Sequence, residues 1–379
     1  MLLLIIRFLR DFCSWNIPLV FDYCSARMGL ALIESFFLTV FLGKKAIALL
    51  KKLKIGDVVR REHCEVLEKI HREKNNIPTM GGILIISVLL ISILTLNNLS
   101  NIFVWEFFLI IVTFGSIGVY DDLLKIRYKN SKGLSTKKKF LIQILVSCFI
   151  VISFSFFCSD RYFFVNKSIK AFFSLTVPFY KHPIVCSSIF SKLILMIFMV
   201  FILVSSVNSV NLTDGLDGLA TGTMAMAMTC FAIIAFISSN LYLSRYLRVV
   251  YIEGGGEIAI VLCSVLGSCL GFLWYNGYPA QIFMGDTGSL MLGGILGGAA
   301  IFLKRELLLA IIGGVFVLEA LSVIIQVCSY KIRGKRIFLC SPLHHHFEYQ
   351  GIPETKVVLR FWLVALALSA IGLTSLKFQ

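Results

Sequence analysis

Ten stretches of mostly apolar sequence, each about as long as a bilayer is thick, constrain this chain more than any other feature. They lie near 28–50, 79–97, 103–120, 139–158, 191–208, 218–238, 257–275, 287–302, 308–328 and 358–376. A helix of about 20 predominantly apolar residues spans the hydrocarbon core. Lipid offers no hydrogen bonds, so such segments must satisfy their backbone internally as helices. Composition agrees, with 58% hydrophobic and 15% charged residues and a mean hydropathy of +0.88, against roughly 25% charged residues in soluble domains. The predicted fold is an all-α polytopic membrane protein of about ten transmembrane helices, in one domain over 1–379. Gly293, Gly294, Gly297 and Gly298 suit close helix contacts within the bundle.

Ten crossings put both termini on one side, and the basic residues then orient the chain. Segments 51–78, 121–139 and 330–357 carry 8, 7 and 5 lysines and arginines, and lie on the same side as 209–217 and 276–286. That side is predicted to be cytoplasmic, with both termini outside. The net charge of +15 is thereby largely a topology signal, and no nucleic-acid partner is expected. The eleven cysteines form no CxxC pair and fall mostly in apolar runs, which reads as small hydrophobes, not a metal or disulfide framework. Residues 1–27, with Arg7 and Arg10 breaking the apolar start, read as a short interfacial segment, not a cleaved signal peptide. Segment 159–190 becomes an external loop and 330–357 a cytoplasmic loop containing histidines.

Five polar segments fall on the predicted cytoplasmic side, although the charge count did not use them. Asn208-Ser-Val-Asn-Leu-Thr-Asp-Gly-Leu-Asp-Gly218 carries two acids and two amides between apolar spans. Such acids at a membrane mark function by default, although Asp214 could simply cap a helix. In a helical turn Asp214 and Asp217 would share a face. Tyr120-Asp-Asp-Leu-Leu-Lys125 places Asp121 and Asp122 at a span end, followed by Arg127, Lys129 and Lys132. Adjacent carboxylates either raise one another's pKa or share a divalent cation, unless they are merely a solvated helix end. Asn276 to Ser289 contains Gly285-Asp-Thr-Gly288, a tight turn exposing Asp286 where Thr287 or Ser289 would start a helix able to face an anion. Ser341-Pro-Leu-His-His-His-Phe-Glu348 supplies three histidines; consecutive imidazoles converge poorly on one zinc, so phosphate or sugar contacts are the better reading. Lys74-Asn-Asn-Ile-Pro-Thr-Met-Gly-Gly82 opens a span, with Pro78 suited to a helix start and Thr79, Gly81 and Gly82 permitting close approach.

The strings IPTMGG, YDDLLK, NSVNLTDGLDGL, GYPAQIFMGDTGSL and SPLHHHFE, in this order, resemble the phospho-N-acetylmuramoyl-pentapeptide transferases within the polyprenyl-phosphate sugar-phosphate transferases. The resemblance runs over nearly the whole chain, including SVIIQVCSYKIRGKRIF. It implies ten transmembrane helices with periplasmic termini, a bacterial inner-membrane location and a cytoplasmic active site. It also implies UDP-MurNAc-pentapeptide as donor, undecaprenyl phosphate as acceptor, Mg²⁺ as cofactor and homodimerisation. By motif position Asp121, Asp122 and Asp286 would be catalytic, with Asp286 the foremost metal ligand and Asn211 a second candidate. Lys74, Thr79, Lys125, Asn208, Asn211, Asp214, Asp217, Asn276, Phe283, Ser289, Gln326, His344, His345 and His346 would line the substrate. Two departures stand out: Ile77 replaces the family's frequent Thr, and 159–190 is long and rich in Phe.

The reading favours direct attack of the lipid phosphate on the β-phosphate, with Asp121 or Asp122 acting on the acceptor. The rival is a two-step path with Asp286 as nucleophile. A sister enzyme transferring GlcNAc-1-phosphate is the nearest alternative, and the HHHFE string argues against it. An ion-coupled transporter would need acids at mid-span, where Glu34 and Glu319 are the only candidates.

Overall fold

The computed structural model describes residues 12, 19–53, 77–128, 133–157, 162–165, 169–170, 172–180 and 183–377. The first six expected apolar runs each become a helix: α1 (Cys24–Lys52), α2 (Gly82–Leu96), α3 (Ile102–Tyr128), α4 (Thr136–Phe157), α5 (Ile189–Thr213) and α6 (Leu219–Ser239). After the short α7 (Leu241–Tyr246) come α8 (Gly256–Asn276), α9 (Gly285–Phe302), the single turn α10 (Leu309–Ile312), α11 (Gly314–Arg333), α12 (Leu343–Tyr349) and α13 (Glu354–Ser375). Among the described residues, eight helices are long and apolar enough to cross a membrane. Of the two other expected spans, α2 has 15 residues and α9 has 18, six of them glycine.

Two boundaries differ from expectation for local reasons. The expected span at 308–328 is instead broken at Gly313, whose N–H closes the turn onto Leu309 O at 2.7 Å, and α11 runs on to Arg333. Segment 208–218 is not wholly a loop either, because α5 continues to Thr213. Of the expected interfacial segment 1–27, residues 1–11 and 13–18 lie outside the described residues, and α1 already starts at Cys24.

Helix α9 is the axis of the molecule, buried at every residue from Thr287 to Phe302. The glycines singled out in the sequence make this possible. A Cβ at Gly293 would stand 2.6 Å from Val207 Cα, while one at Gly294 would stand 2.5 Å from the Phe114 ring. One glycine row therefore admits the α5 backbone and the other admits the Phe114 and Ile110 side chains of α3, so both approach α9 closely enough for dispersion contact. Around α9 and α8 the remaining helices present buried inner faces and lipid-ready outer ones, such as Phe149, Ile197, Phe201 and Leu363.

The end of the bundle away from Asp286 is closed by its own polar and aromatic groups. Arg27 pairs with Glu257 at 2.7 Å, and Glu257 also accepts the Asn97 amide at 3.1 Å and the Asn98 N–H at 2.8 Å. The long segment 159–190 contributes β1 (Phe163–Val165), β2 (Ile169–Lys170), β3 (Ser174–Leu175) and β4 (Ile184–Val185). Strand β1 pairs antiparallel with β2 and with β5 (Tyr251–Ile252), and β3 pairs with β4. Its phenylalanines are the reason it packs: Phe163 and Phe172 are fully buried against Phe154 and the Lys304 ammonium, which lies 4.6 Å from the Phe172 ring centroid.

The α5–α9 contact yields a direct test. Gly293→Val places side-chain atoms against backbone that cannot rotate away, an overpacking cost of about 1–3 kcal/mol. It should lower the thermal midpoint of the detergent-solubilised protein. Gly29→Ala, where a Cβ meets nothing within 4 Å, should leave the midpoint nearly unchanged.

Candidate active site

Four of the five polar segments meet at the N-terminus of α9. The extended residues before α2 pair with the residues before α9: Phe283 N–H donates to Pro78 O at 2.9 Å, Gly81 N–H to Phe283 O at 2.8 Å and Gly82 N–H to Met284 O at 2.9 Å. Helix α3 approaches from the other side at Gly118, where a Cβ would stand 2.3 Å from Asp286 O. No larger residue fits there. One turn later α3 delivers its acids.

Asp122 is the hinge pin of this junction. Its carboxylate accepts the backbone N–H groups of Asp286 at 3.3 Å and Thr287 at 2.9 Å, and the Thr287 hydroxyl at 2.7 Å. A carboxylate satisfies a neighbouring helix's orphan donors here and opposes its dipole. Asp121 accepts the Leu134 N–H at 2.7 Å with Oδ1 and faces Lys125 at 2.8 Å and Lys139 at 3.6 Å with Oδ2. Asp286 Oδ2 meets Lys139 at 2.5 Å and Lys125 at 2.9 Å, while its Oδ1 accepts the Asn211 amide at 2.8 Å. One ligand oxygen from each of Asp121, Asp122 and Asp286 lies within 4.8 Å of the others.

Lys139 is the member of this cluster that sequence reasoning missed. It ends the run Lys137-Lys138-Lys139, which in an apolar chain reads as a topology signal. Only the third lysine sits on the face of α4 that meets Asp286. Two ammonium groups and three carboxylates leave a formal charge of minus one in a largely enclosed space. The donor set is all hard oxygen, the chemistry Mg²⁺ prefers. Asn211, expected as a second metal candidate, turns its NH₂ to both Asp286 and Ser289 Oγ, the latter at 2.9 Å. Ser289 Oγ in turn donates to Gly285 O at 3.0 Å, so it can only accept from Asn211. Asn211 thus orients Asp286 with its donor end.

The other expected site residues surround this centre at different depths. Thr79 lies beside the Gly285 turn, its Oγ1 3.0 Å from where a Cβ would stand. Asn208 donates to Gln143 at 2.7 Å, one turn of α5 farther from the acids. Asp214 is half-buried where α5 ends, whereas Asp217 is buried and accepts the Ala280 N–H at 3.0 Å. Asn276 is buried too, accepting the Thr221 hydroxyl and the Gly218 N–H and donating to Ile282 O. Asp217 and Asn276 thereby fix the 277–283 segment that carries Phe283. His344 is buried with Nε2 against Gly215, His345 contacts Glu348 at 2.7 Å, and His346 Nδ1 accepts the Leu339 N–H at 3.2 Å. Gln326 holds Ile337 and Phe338 by three backbone bonds. Lys74, Lys129 and Lys132 lie outside the described residues. Of the two mid-span acids, Glu34 accepts the Thr95 hydroxyl at 3.0 Å and Glu319 binds the start of α12.

Residues 104–304 match the family described as Glycosyl transferase family 4, and residues 74–86 match the phospho-N-acetylmuramoyl-pentapeptide-transferase signature 1. The chain is 47% identical to the phospho-N-acetylmuramoyl-pentapeptide-transferase of Protochlamydia amoebophila (strain UWE25) over the full length of both. The chain belongs to this transferase family. It is also 44% identical to the transferase of Chlamydia felis (strain Fe/C-56), covering 94% of this chain and 98% of that one. With the relative from Thermodesulfovibrio yellowstonii the identity is 42%, over 95% of each chain. The matched signature contains the Pro78 to Gly82 segment that pairs with residues 283–284, and the family match contains all three acids.

If the acids hold a divalent cation, binding to the folded state stabilises it by linkage. Adding Mg²⁺ should raise the thermal midpoint of the detergent-solubilised protein. In Asp286→Asn, which keeps the size but loses the charge, the rise should be abolished; an equal rise in the variant would place the cation elsewhere.

Proposed function

We propose that the chain transfers phospho-N-acetylmuramoyl-pentapeptide from its UDP ester to undecaprenyl phosphate, releasing UMP and forming lipid I in peptidoglycan synthesis. The observation that carries this reading is the cluster of Asp121, Asp122 and Asp286 with Lys125 and Lys139 at the head of α9. It joins oxygen ligands for a cation to ammonium groups for phosphates, at the end of apolar helices where a lipid phosphate arrives. The names of the relatives supply the sugar and peptide. The excess of Lys and Arg in 51–78 and 121–139 supports a cytoplasmic site in the bacterial inner membrane, with ten crossings and periplasmic termini.

The chemistry balances as one displacement. An oxygen of the lipid phosphate attacks the β-phosphorus of the UDP-sugar, the bond from that phosphorus to the bridging oxygen breaks, and UMP leaves with that oxygen. Asp286, with the α3 acids, would hold Mg²⁺, and the cation would supply neutralisation of phosphate charge. Lys125 and Lys139 take the phosphate oxygens. Asp121 is the better candidate to receive or position the acceptor, because both Asp122 oxygens are already engaged by α9. Asn211 and Ser289 aim Asp286, and the 277–283 segment with Phe283 faces the nucleoside side. His345 and His346, in the histidine loop, are assigned to contacts with the substrate.

The test is UMP release by purified protein given UDP-MurNAc-pentapeptide, undecaprenyl phosphate and Mg²⁺. Release should require all three and stop with a chelator. Asp286→Asn and Lys139→Met should each slow it by about 100-fold or more, the scale for removing one charge stabiliser from a preorganised site. Release with UDP-GlcNAc instead would assign the chain to the sister reaction.

A further inference from the structure

Helix α11 carries a polar stripe that its apolar character does not require. Glu319, Ser322, Gln326 and Ser329 recur at intervals of three and four, so they lie along one face. Leu318, Leu321, Ile324 and Ile325 are exposed on the others. Three of the stripe residues stitch the returning chain 335–344 to the helix. Ser329 Oγ donates to Lys335 O at 2.9 Å, and Gln326 binds both backbone groups of Phe338 and the N–H of Ile337. Glu319, fully buried, takes the far end.

The Glu319 contacts are specific. One oxygen accepts the Leu343 N–H at 2.7 Å and the other the His344 N–H at 3.2 Å, so the carboxylate caps the first turn of α12. Pro342 precedes that turn and has no donor, and no side chain of the turn itself caps it. Glu319 also faces His344 Nδ1 at 3.2 Å, off the line of a regular hydrogen bond. The imidazole is turned so that Nε2 presses on Gly215, where a Cβ would stand 2.3 Å away. Gly215 follows Asp214 directly. One buried carboxylate thus fixes the histidine helix and its seat against the loop bearing Asp214 and Asp217.

We infer that Glu319 is a positioning residue for the transfer reaction, acting through the capped N-terminus of α12 and the His344 ring. It touches no reacting atom; it sets where His344, His345 and His346 stand relative to Asp214. This rests on the proposed reaction for its kinetic consequence, while the docking of the loop can be measured without it.

The experiment compares wild type with Glu319→Gln, Glu319→Asp, His344→Ala and Glu319→Gln/His344→Ala, all purified in detergent. Glu319→Gln should speed tryptic cleavage at Arg333, Lys335 and Arg336, because the loop loses its anchor. It should lower kcat on the order of 10- to 100-fold, the range for losing a charged hydrogen-bond partner, with a smaller change in KM for the nucleotide sugar. Glu319→Asp, which keeps the charge, should recover part of kcat. The double variant should be no slower than His344→Ala alone. Unchanged cleavage, or a kcat loss that multiplies with that of His344→Ala, would overturn the inference. So would faster cleavage at undiminished kcat. A wild type silent with this donor would instead count against the reaction, and the cleavage comparison would still report on the anchor.

Discussion

The contact on which the site depends is the capture of the α9 N-terminus by Asp122. A buried carboxylate is costly unless hydrogen-bonded, and this one accepts three hydrogen bonds from Asp286 and Thr287, with the Lys125 ammonium at 3.5 Å. The approach is possible only because Gly118 and Gly82 lack side chains where α3 and the start of α2 cross α9. The same contact places Asp286 beside Asp121, so helix packing and acidic cluster are one construction. Removing the Asp122 charge would free the helix terminus and the metal-ligating geometry together.

Charge compensation inside the cluster explains why both lysines are needed. Three carboxylates at these separations repel one another strongly where solvent is scarce. Lys125 reaches all three acids, and Lys139 reaches Asp121 and Asp286. An ammonium is a mobile point charge on a flexible stem, so either lysine can follow a phosphate oxygen without moving a helix. The acids are held by backbone and amide donors on their other sides, which would keep them in place if the lysines turned to another anion.

Much of this was legible in the sequence because lipid imposes a coarse code. Apolar runs become helices, eight of them long and apolar enough to cross a membrane among the described residues, and the polar strings between them had to be either costly or useful. Glycines in α9 were readable as close contacts for the same reason. The unread parts are those in which a side chain's partner lies far along the chain. Lys139 looked like one of three equivalent lysines, since only the α3–α4–α9 arrangement tells which one points inward. Asp217 and Asn276 were expected at the substrate, yet their hydrogen bonds go first to Ala280, Gly218, Thr221 and Ile282. The break at Gly313 was missed because a Gly-Gly pair in an apolar run fits a helix contact as well as a bend.

The two ends of the bundle solve the same problem differently. Both bury ionisable groups, and burial demands partners. At the far end the partners are enclosed: Glu257 with Arg27, Asn97 and Asn98, and Lys304 among three phenylalanine rings. At the α9 end the acids share two lysines that are 28% and 16% exposed, and the surrounding loops are fixed by residues one layer back, Asp122, Asn211, Asp217 and Glu319. Rigid supports around partly exposed, shared charges are what a phosphate-transfer site requires, because preorganisation lowers the cost of reorientation during the reaction. The way the charges are satisfied therefore supports the proposed site at this end, independently of which strings of sequence surround it.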